Sequence, residues 1–169
     1  MTHPLYTGSV PVFQQILTAQ AAILAKAAAH AEAHKIEPDA LLQSRLFPDM
    51  WPLVKQARIA CDFAKGTSAR LAGQPVPSFE ITAHGFADLQ SYIAQTLAFI
   101  GGLDQALFEG SETRALKFMA GPNEIQFPNG TAYLHSFALP NFFFHATTTY
   151  ALLRHGGVDV GKFDYLGSF

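Results

Sequence analysis

Disulfides, basic tracts and long apolar runs are all missing from this sequence, and each absence excludes something. There is one cysteine, Cys61, in 169 residues, so no disulfide can form within the chain and a reducing compartment is expected. Charged residues make up only 14%, with a formal net charge of -2. Lys and Arg are scattered singly, with no basic stripe interleaved with aromatics. That pattern offers no general attraction to nucleic acid or anionic lipid. Every apolar run is broken by polar residues well before membrane-spanning length. The opening "MTHPLYTGSVPVFQQ" has neither the basic nor the apolar region of a secretory signal. A glycine-rich phosphate loop, a nucleophile elbow and a paired-cysteine motif are absent too. The expectation is a soluble, cytoplasmic protein with no nucleic-acid or membrane partner.

What is present is helical. The apolar share is 49%, including 15 phenylalanines, enough for one substantial core, and residues 1–169 read as a single domain. Low charge beside so many alanines and phenylalanines leaves apolar surface to hide, which favours a homodimer. Tyr6, Val10, Phe13, Leu17, Leu24 and Ala27 recur at three, four and seven, predicting a first helix from about Tyr6 to His34. Pro38 stops it, and Asp39 can cap a short turn. Pro48 and Asp49 read as the start of a second helix, with Pro52 in its first turn. Its stripe is Met50, Leu53, Val54, Ala57, Ala60, Cys61, Ala64 and Leu71. A third helical pattern begins at Thr82 and carries Phe86, Leu89, Ile93, Leu97 and Ile100. Between Arg114 and Phe137 short alternating stretches surround Gly-Pro and Pro-Asn-Gly, and Asn129-Gly130 is the expected hairpin turn. Pro140 and Asn141 open a fourth helix that Gly156-Gly157 closes. The aromatic tail "VDVGKFDYLGSF" should dock on the body. Four helices with a hairpin before the last predict an all-α four-helix bundle.

Unusual chemistry concentrates in "NFFFHATTTYALLRHGG", residues 141–157. His145 follows three phenylalanines, and Thr149 lies one helical turn on, along the same face. Cys61 falls on an apolar stripe and reads as packing. His30 and His34 have a metal-like spacing but sit in an alanine-rich turn expected to be solvated. His155 beside Arg154 suits a helix C-terminus. His84 reads as a helix N-terminal residue and His135 as a strand residue. Asp104, Glu109 and Glu112 read as a solvated acidic end.

The segments "LFPDMWPLVKQ", "LPNFFFHATTTYALLRHGG" and "GKFDYLG" together resemble a bacterial family of unknown function in the DinB/YfiT-like superfamily. The resemblance covers nearly the whole chain. It implies an up-down-down-up four-helix bundle, often dimeric. Many members of that superfamily bind a divalent metal through three histidines, one on the second helix and two, four residues apart, on the last. Some act as thiol-dependent transferases or isomerases, others as metal-dependent hydrolases. On this chain His145 matches the first histidine of the last helix, Thr149 stands where the second would be, and Gln56 falls at the position on the second helix. A nearby carboxylate such as Asp49 could assist.

Three functions follow. One is a metal-free bundle binding a small molecule or partner in a cleft around His145, Gln56, Thr149, Tyr150 and Asp49, with Gln20 nearby. The second is a degenerate enzyme using a divalent metal, zinc or nickel, on His145. The third is a purely structural, oligomerising protein. The first carries the expectation that His145 points inward and its imidazole joins the Gln56 amide to the Thr149 hydroxyl. Nothing in the residues selects a reaction.

Overall fold

The computed structural model describes residues 3–80 and 85–169. The expected start of the third helix at Thr82, and His84, lie outside the described residues. In chain order the helices are α1 (Pro4–Thr7), α2 (Val10–His34), α3 (Pro38–Leu42), α4 (Leu53–Leu71) and α5 (Phe86–Gly101). A 3-10 turn (Gln105–Phe108) and the strands β1 (Leu116–Ala120) and β2 (Asn123–Phe127) follow. Then come α6 (Gly130–Tyr133), a π turn (Leu134–Ala138), α7 (Leu139–His155) and α8 (Lys162–Leu166).

Side-chain contacts give the helix directions. Phe13 meets Phe142 edge-on, with centroids 4.7 Å apart, and Gly157 lies beside the His30 ring, so α2 and α7 run the same way. Gln90 donates to the Ala21 carbonyl at 2.7 Å and Gly101 faces Gln14, so α5 runs against α2. Gln56 pairs with His145 and Thr67 with Tyr133, so α4 runs against α7. The bundle is therefore up-down-down-up. Because α4 and α5 run the same way, their connection must traverse the bundle. Residues 74–80 form no regular secondary structure, and Phe79 lies edge-on to Tyr92 at 5.5 Å.

The expected stripes form the core. Val10, Phe13, Leu17, Leu24 and Ala27 of α2 are buried, as are Leu53, Ala57, Ala60, Cys61, Ala64 and Leu71 of α4. So are Phe86, Leu89, Ile93 and Ile100 of α5. Burying one such large side chain stabilises by about 1.5–3 kcal/mol. The alanines of α4 have no long side chain to hold a neighbouring helix away.

Element boundaries differ from expectation where proline acts. The first helix is broken into α1 and α2 at Gly8-Ser9, with Pro11 in the first turn of α2, because a proline ring clashes with the carbonyl four residues back. The second helix starts at Leu53 rather than Pro48, with Pro52 as its extended cap residue; a residue before proline, here Trp51, is driven out of the helical region. The hairpin turn is Gly121-Pro122, not Asn129-Gly130, and β1 and β2 pair antiparallel from Ala120 opposite Asn123 to Leu116 opposite Phe127. Gly121 holds φ +60, the left-handed conformation that the first turn position of this tight hairpin needs. The Asn129 side chain instead caps α6 by accepting from Ala132 N at 2.8 Å. Helical backbone thus begins ten residues before Pro140. The π turn lets it pass the proline: the widened turn relieves the clash with the Ser136 carbonyl, and Asn141 Nδ2 donates to the Phe137 carbonyl at 2.7 Å. His135 lies in that turn, exposed, and not in a strand.

The tail docks as expected. Gln15 Nε2 donates to the Leu166 carbonyl at 2.8 Å, and Lys26 pairs with Asp164 at 2.7 Å. No helix among the described residues is long and apolar enough to cross a membrane.

Candidate functional site

His145 does point into the bundle. It is 9% exposed, and its ring stacks on Phe63 with centroids 5.8 Å apart and planes 18° from parallel. Its Nδ1 lies 2.6 Å from Gln56 Oε1. An amide oxygen only accepts, so Nδ1 carries the proton and Nε2 the lone pair. The amide orientation is set at its other end, where Gln56 Nε2 donates to the Trp51 carbonyl at 3.1 Å. Burial lowers the His145 pKa, which favours this neutral tautomer.

Thr149 does not complete the expected set. Its hydroxyl donates to the backbone carbonyl of His145 at 2.9 Å, the common route by which a mid-helix threonine satisfies itself within its own turn. Tyr150 turns the other way, edge-on to Tyr165 of α8 at 5.7 Å. Asp49 is exposed in the turn before α4. Gln20 is buried and donates to the Ala57 carbonyl at 3.0 Å; its Oε1 has no partner among the described residues. The structure thus brings Gln56 to the His145 ring and leaves Thr149, Tyr150, Asp49 and Gln20 bonded or turned elsewhere.

These donors do not fit the divalent metal that the resemblance implies. Two of the three positions point their polar atoms at each other, and the third is bonded to backbone. Only Nε2 of His145 is left to bind an ion, and tight zinc sites use three or four ligands. Among the described residues no group of three or more His, Cys, Asp or Glu is placed to hold a metal. The His30 and His34 rings lie with centroids 4.2 Å apart and planes tilted by 33°, but His34 Nδ1 is already 2.9 Å from the His30 carbonyl.

A second polar cluster went unread in the sequence. Lys65 is 6% exposed, and its Nζ lies 3.0 Å from Tyr92 Oη and 3.1 Å from Asp62 Oδ1. Tyr92 donates its hydroxyl to the same carboxylate oxygen. Burial lowers the Lys65 pKa, but the Tyr92 hydrogen bond and the Asp62 charge outweigh it, and the net shift is upward. Tyr92 is raised as well, by burial and then by its hydrogen bond to Asp62. The signal was there: Lys65 is one turn beyond Cys61 on an otherwise apolar stripe. Cys61 beside it is fully buried, and burial pushes its thiol up to about 12, which leaves it inert.

Beside Phe63 lies a cavity of about 180 Å³ between α4, β1 and the π turn, walled by Phe63, Phe118, Phe137 and Met119, with Asp62 and Arg70 at its polar edge. Arg70 holds its guanidinium 4.0 Å from the Phe118 ring centre and donates to Tyr133 Oη at 3.3 Å. Gly66 makes room for it, since a Cβ there would stand 2.6 Å from Arg70 Nη1. A mid-helix glycine costs about 0.5–1 kcal/mol relative to alanine, so the pose of Arg70 is kept at some expense of helix stability. A larger hollow, about 610 Å³, lies along α4 near Pro52 and Ile59. Its cations are engaged, Lys55 over Trp51 at 3.0 Å and Arg58 with Asp62 at 3.8 Å, and its lining holds no aromatic ring.

Comparison with known proteins agrees with this architecture. Residues 5–166 match the family model described as "Domain of unknown function (DUF1993)", so the chain belongs to that family. A crystal structure of a DinB family member protein from Shewanella denitrificans is 38% identical over 98% of this chain and 93% of that one, with a TM-score of 0.87. No curated protein matches.

Proposed function

Taking membership of the DUF1993 family as the premise, we propose that this bundle is a metal-free small-molecule-binding protein. Its binding place is the aromatic cleft that opens beside His145. The observation that carries this reading is the double role of Phe63: one ring both stacks on His145 and walls the cavity. The His145–Gln56 pair, closed on itself, then acts as the rigid back of a binding place. Preformed, mostly apolar concave sites with a few fixed polar groups are what small ligands use. The degenerate metalloenzyme is disfavoured by the donor set, and a purely structural role leaves the pose of Arg70 without a purpose.

A fragment library of mixed charge, followed by carbon–hydrogen NMR of the phenylalanine rings, tests the reading. Compounds that shift Phe63, Phe118 and Phe137 together, without added metal, support it. A screen in which no compound of any charge moves these rings rejects it. Metal analysis of untagged protein is the second arm, and close to one zinc or nickel per chain would restore the enzyme reading.

The expected homodimer belongs to the same proposal. Phe144 is 54% exposed and Leu46 46%, and both line one hollow along the outer face of α7. Sedimentation at micromolar concentration should give twice the chain mass, and a monomer would remove the dimer. A cytoplasmic setting fits the single, buried thiol.

A further inference from the structure

We propose that the cavity between α4, β1 and the π turn takes a small planar carboxylate, its ring among Phe63, Phe118 and Phe137 and its carboxylate on Arg70. The inference rests on the cleft being a ligand site and names the class of ligand.

The arginine carries the argument. Among the described residues no carboxylate pairs with Arg70, whereas Arg58 lies beside Asp62 and Lys26 and Lys117 each have an acidic partner. A guanidinium has five N–H donors in a planar fork, and one hydrogen bond to protein, to Tyr133 Oη, is made here. Tyr133 is fully buried and also bonded to Thr67 at 3.2 Å, so it is a firm anchor. Phe118 lies under the guanidinium and Gly66 leaves space beside it. The cation is therefore positioned, partly desolvated and supplied with spare donors. Carboxylate and phosphate oxygens both match that fork, and a cavity of about 180 Å³ walled by aromatic rings favours the smaller, planar carboxylate.

Asp62 on the rim would repel an anion if its charge stood alone. It does not: Lys65, Arg58 and the Tyr92 hydroxyl are all at its oxygens. Size sets the rest of the ligand. An apolar cavity of about 150 Å³ is known to hold benzene, so one of about 180 Å³ has room for one six-membered ring and little more, with the carboxylate at the polar edge. Three phenylalanine rings favour a flat, apolar body over a sugar or a polyamine.

Benzoate and its neutral isostere benzamide are the probes, titrated into the intact protein by NMR on the phenylalanine rings and by calorimetry. Benzoate should shift Phe118 and Phe137 and bind at least tenfold more tightly than benzamide. Arg70→Gln should remove that tenfold preference while benzamide binding stays unchanged. Because Arg70 also holds Tyr133, that variant could lose structure. Gly66→Ala is the second test: alanine suits the helix, yet its Cβ must displace the guanidinium. It should weaken benzoate several-fold with the melting temperature held or raised. Equal binding of the two probes, or benzoate binding untouched in both variants, overturns the carboxylate assignment while leaving a ligand cleft standing. If neither probe moves the rings but neutral library compounds do, the ligand class is wrong. If nothing does, the cleft reading falls with it.

Discussion

Two polar clusters tie α4 to its neighbours, and they are built on opposite principles. Toward α7, Gln56 and His145 make a neutral pair, one amide and one imidazole, joined without charge. Toward α5, Lys65, Tyr92 and Asp62 make an ionic one, with a buried ammonium held by a hydroxyl and a half-exposed carboxylate. Desolvation acts on both but is answered differently. The histidine answers it by staying neutral, so its pKa falls. The lysine answers it with the Tyr92 hydrogen bond and the Asp62 counter-charge, so its pKa rises despite burial. Burial alone therefore does not say which way a group will titrate; the partner decides.

The largest expected effect comes from breaking the ionic cluster. Asp62→Ala leaves a buried ammonium with only Tyr92 and aromatic rings, and should cost about 2–3 kcal/mol in urea unfolding. That is below the value for a fully buried pair because Asp62 keeps some water. An effect below that of the neutral pair would invert the comparison. His145→Ala is next. It strands the Gln56 oxygen and removes the ring from Phe63, for about 1–3 kcal/mol. A double-mutant cycle between Gln56→Ala and His145→Ala isolates their coupling, expected near 1 kcal/mol; a coupling near zero would mean the pair is only adjacent.

The smallest effects are pH slopes, and their signs separate the clusters. The folded His145 pKa lies below the ordinary 6.5, so its contribution is full above about 6.5 and is lost as pH falls toward the folded value. The folded Lys65 pKa lies above the ordinary 10.5, so its contribution is full below about 10.5 and is lost as pH rises through the folded value. Urea midpoints of His145→Ala should fall less steeply than wild type below pH 6.5, and those of Lys65→Met less steeply above pH 10.5. Parallel curves would show that neither group titrates as its surroundings require.

Much of the fold was legible because periodicity reports one-dimensional facts. Phe13, Leu17, Leu24 and Ala27 had to share a face of any helix containing them, and all are buried. The inward position of His145 beside Gln56 was legible through resemblance. Boundaries were not, because several residues qualified for one job. Asn129-Gly130 and Gly121-Pro122 both read as turns, and pairing of Phe118 with Ile125 across the strands selects the second. Thr149 shares a helix face with His145, but its hydroxyl takes the backbone carbonyl one turn back in its own helix.

By itself the sequence determined the helices, their apolar stripes and the absence of disulfides, because propensity, spacing and composition act locally along the chain. Only the tertiary structure decided that Lys65 meets Tyr92, 27 residues away, and that Arg70 folds over Gly66 beside a hairpin phenylalanine. Those are meetings between separate elements. Their chemistry depends on distance and desolvation, which exist only once the helices have packed.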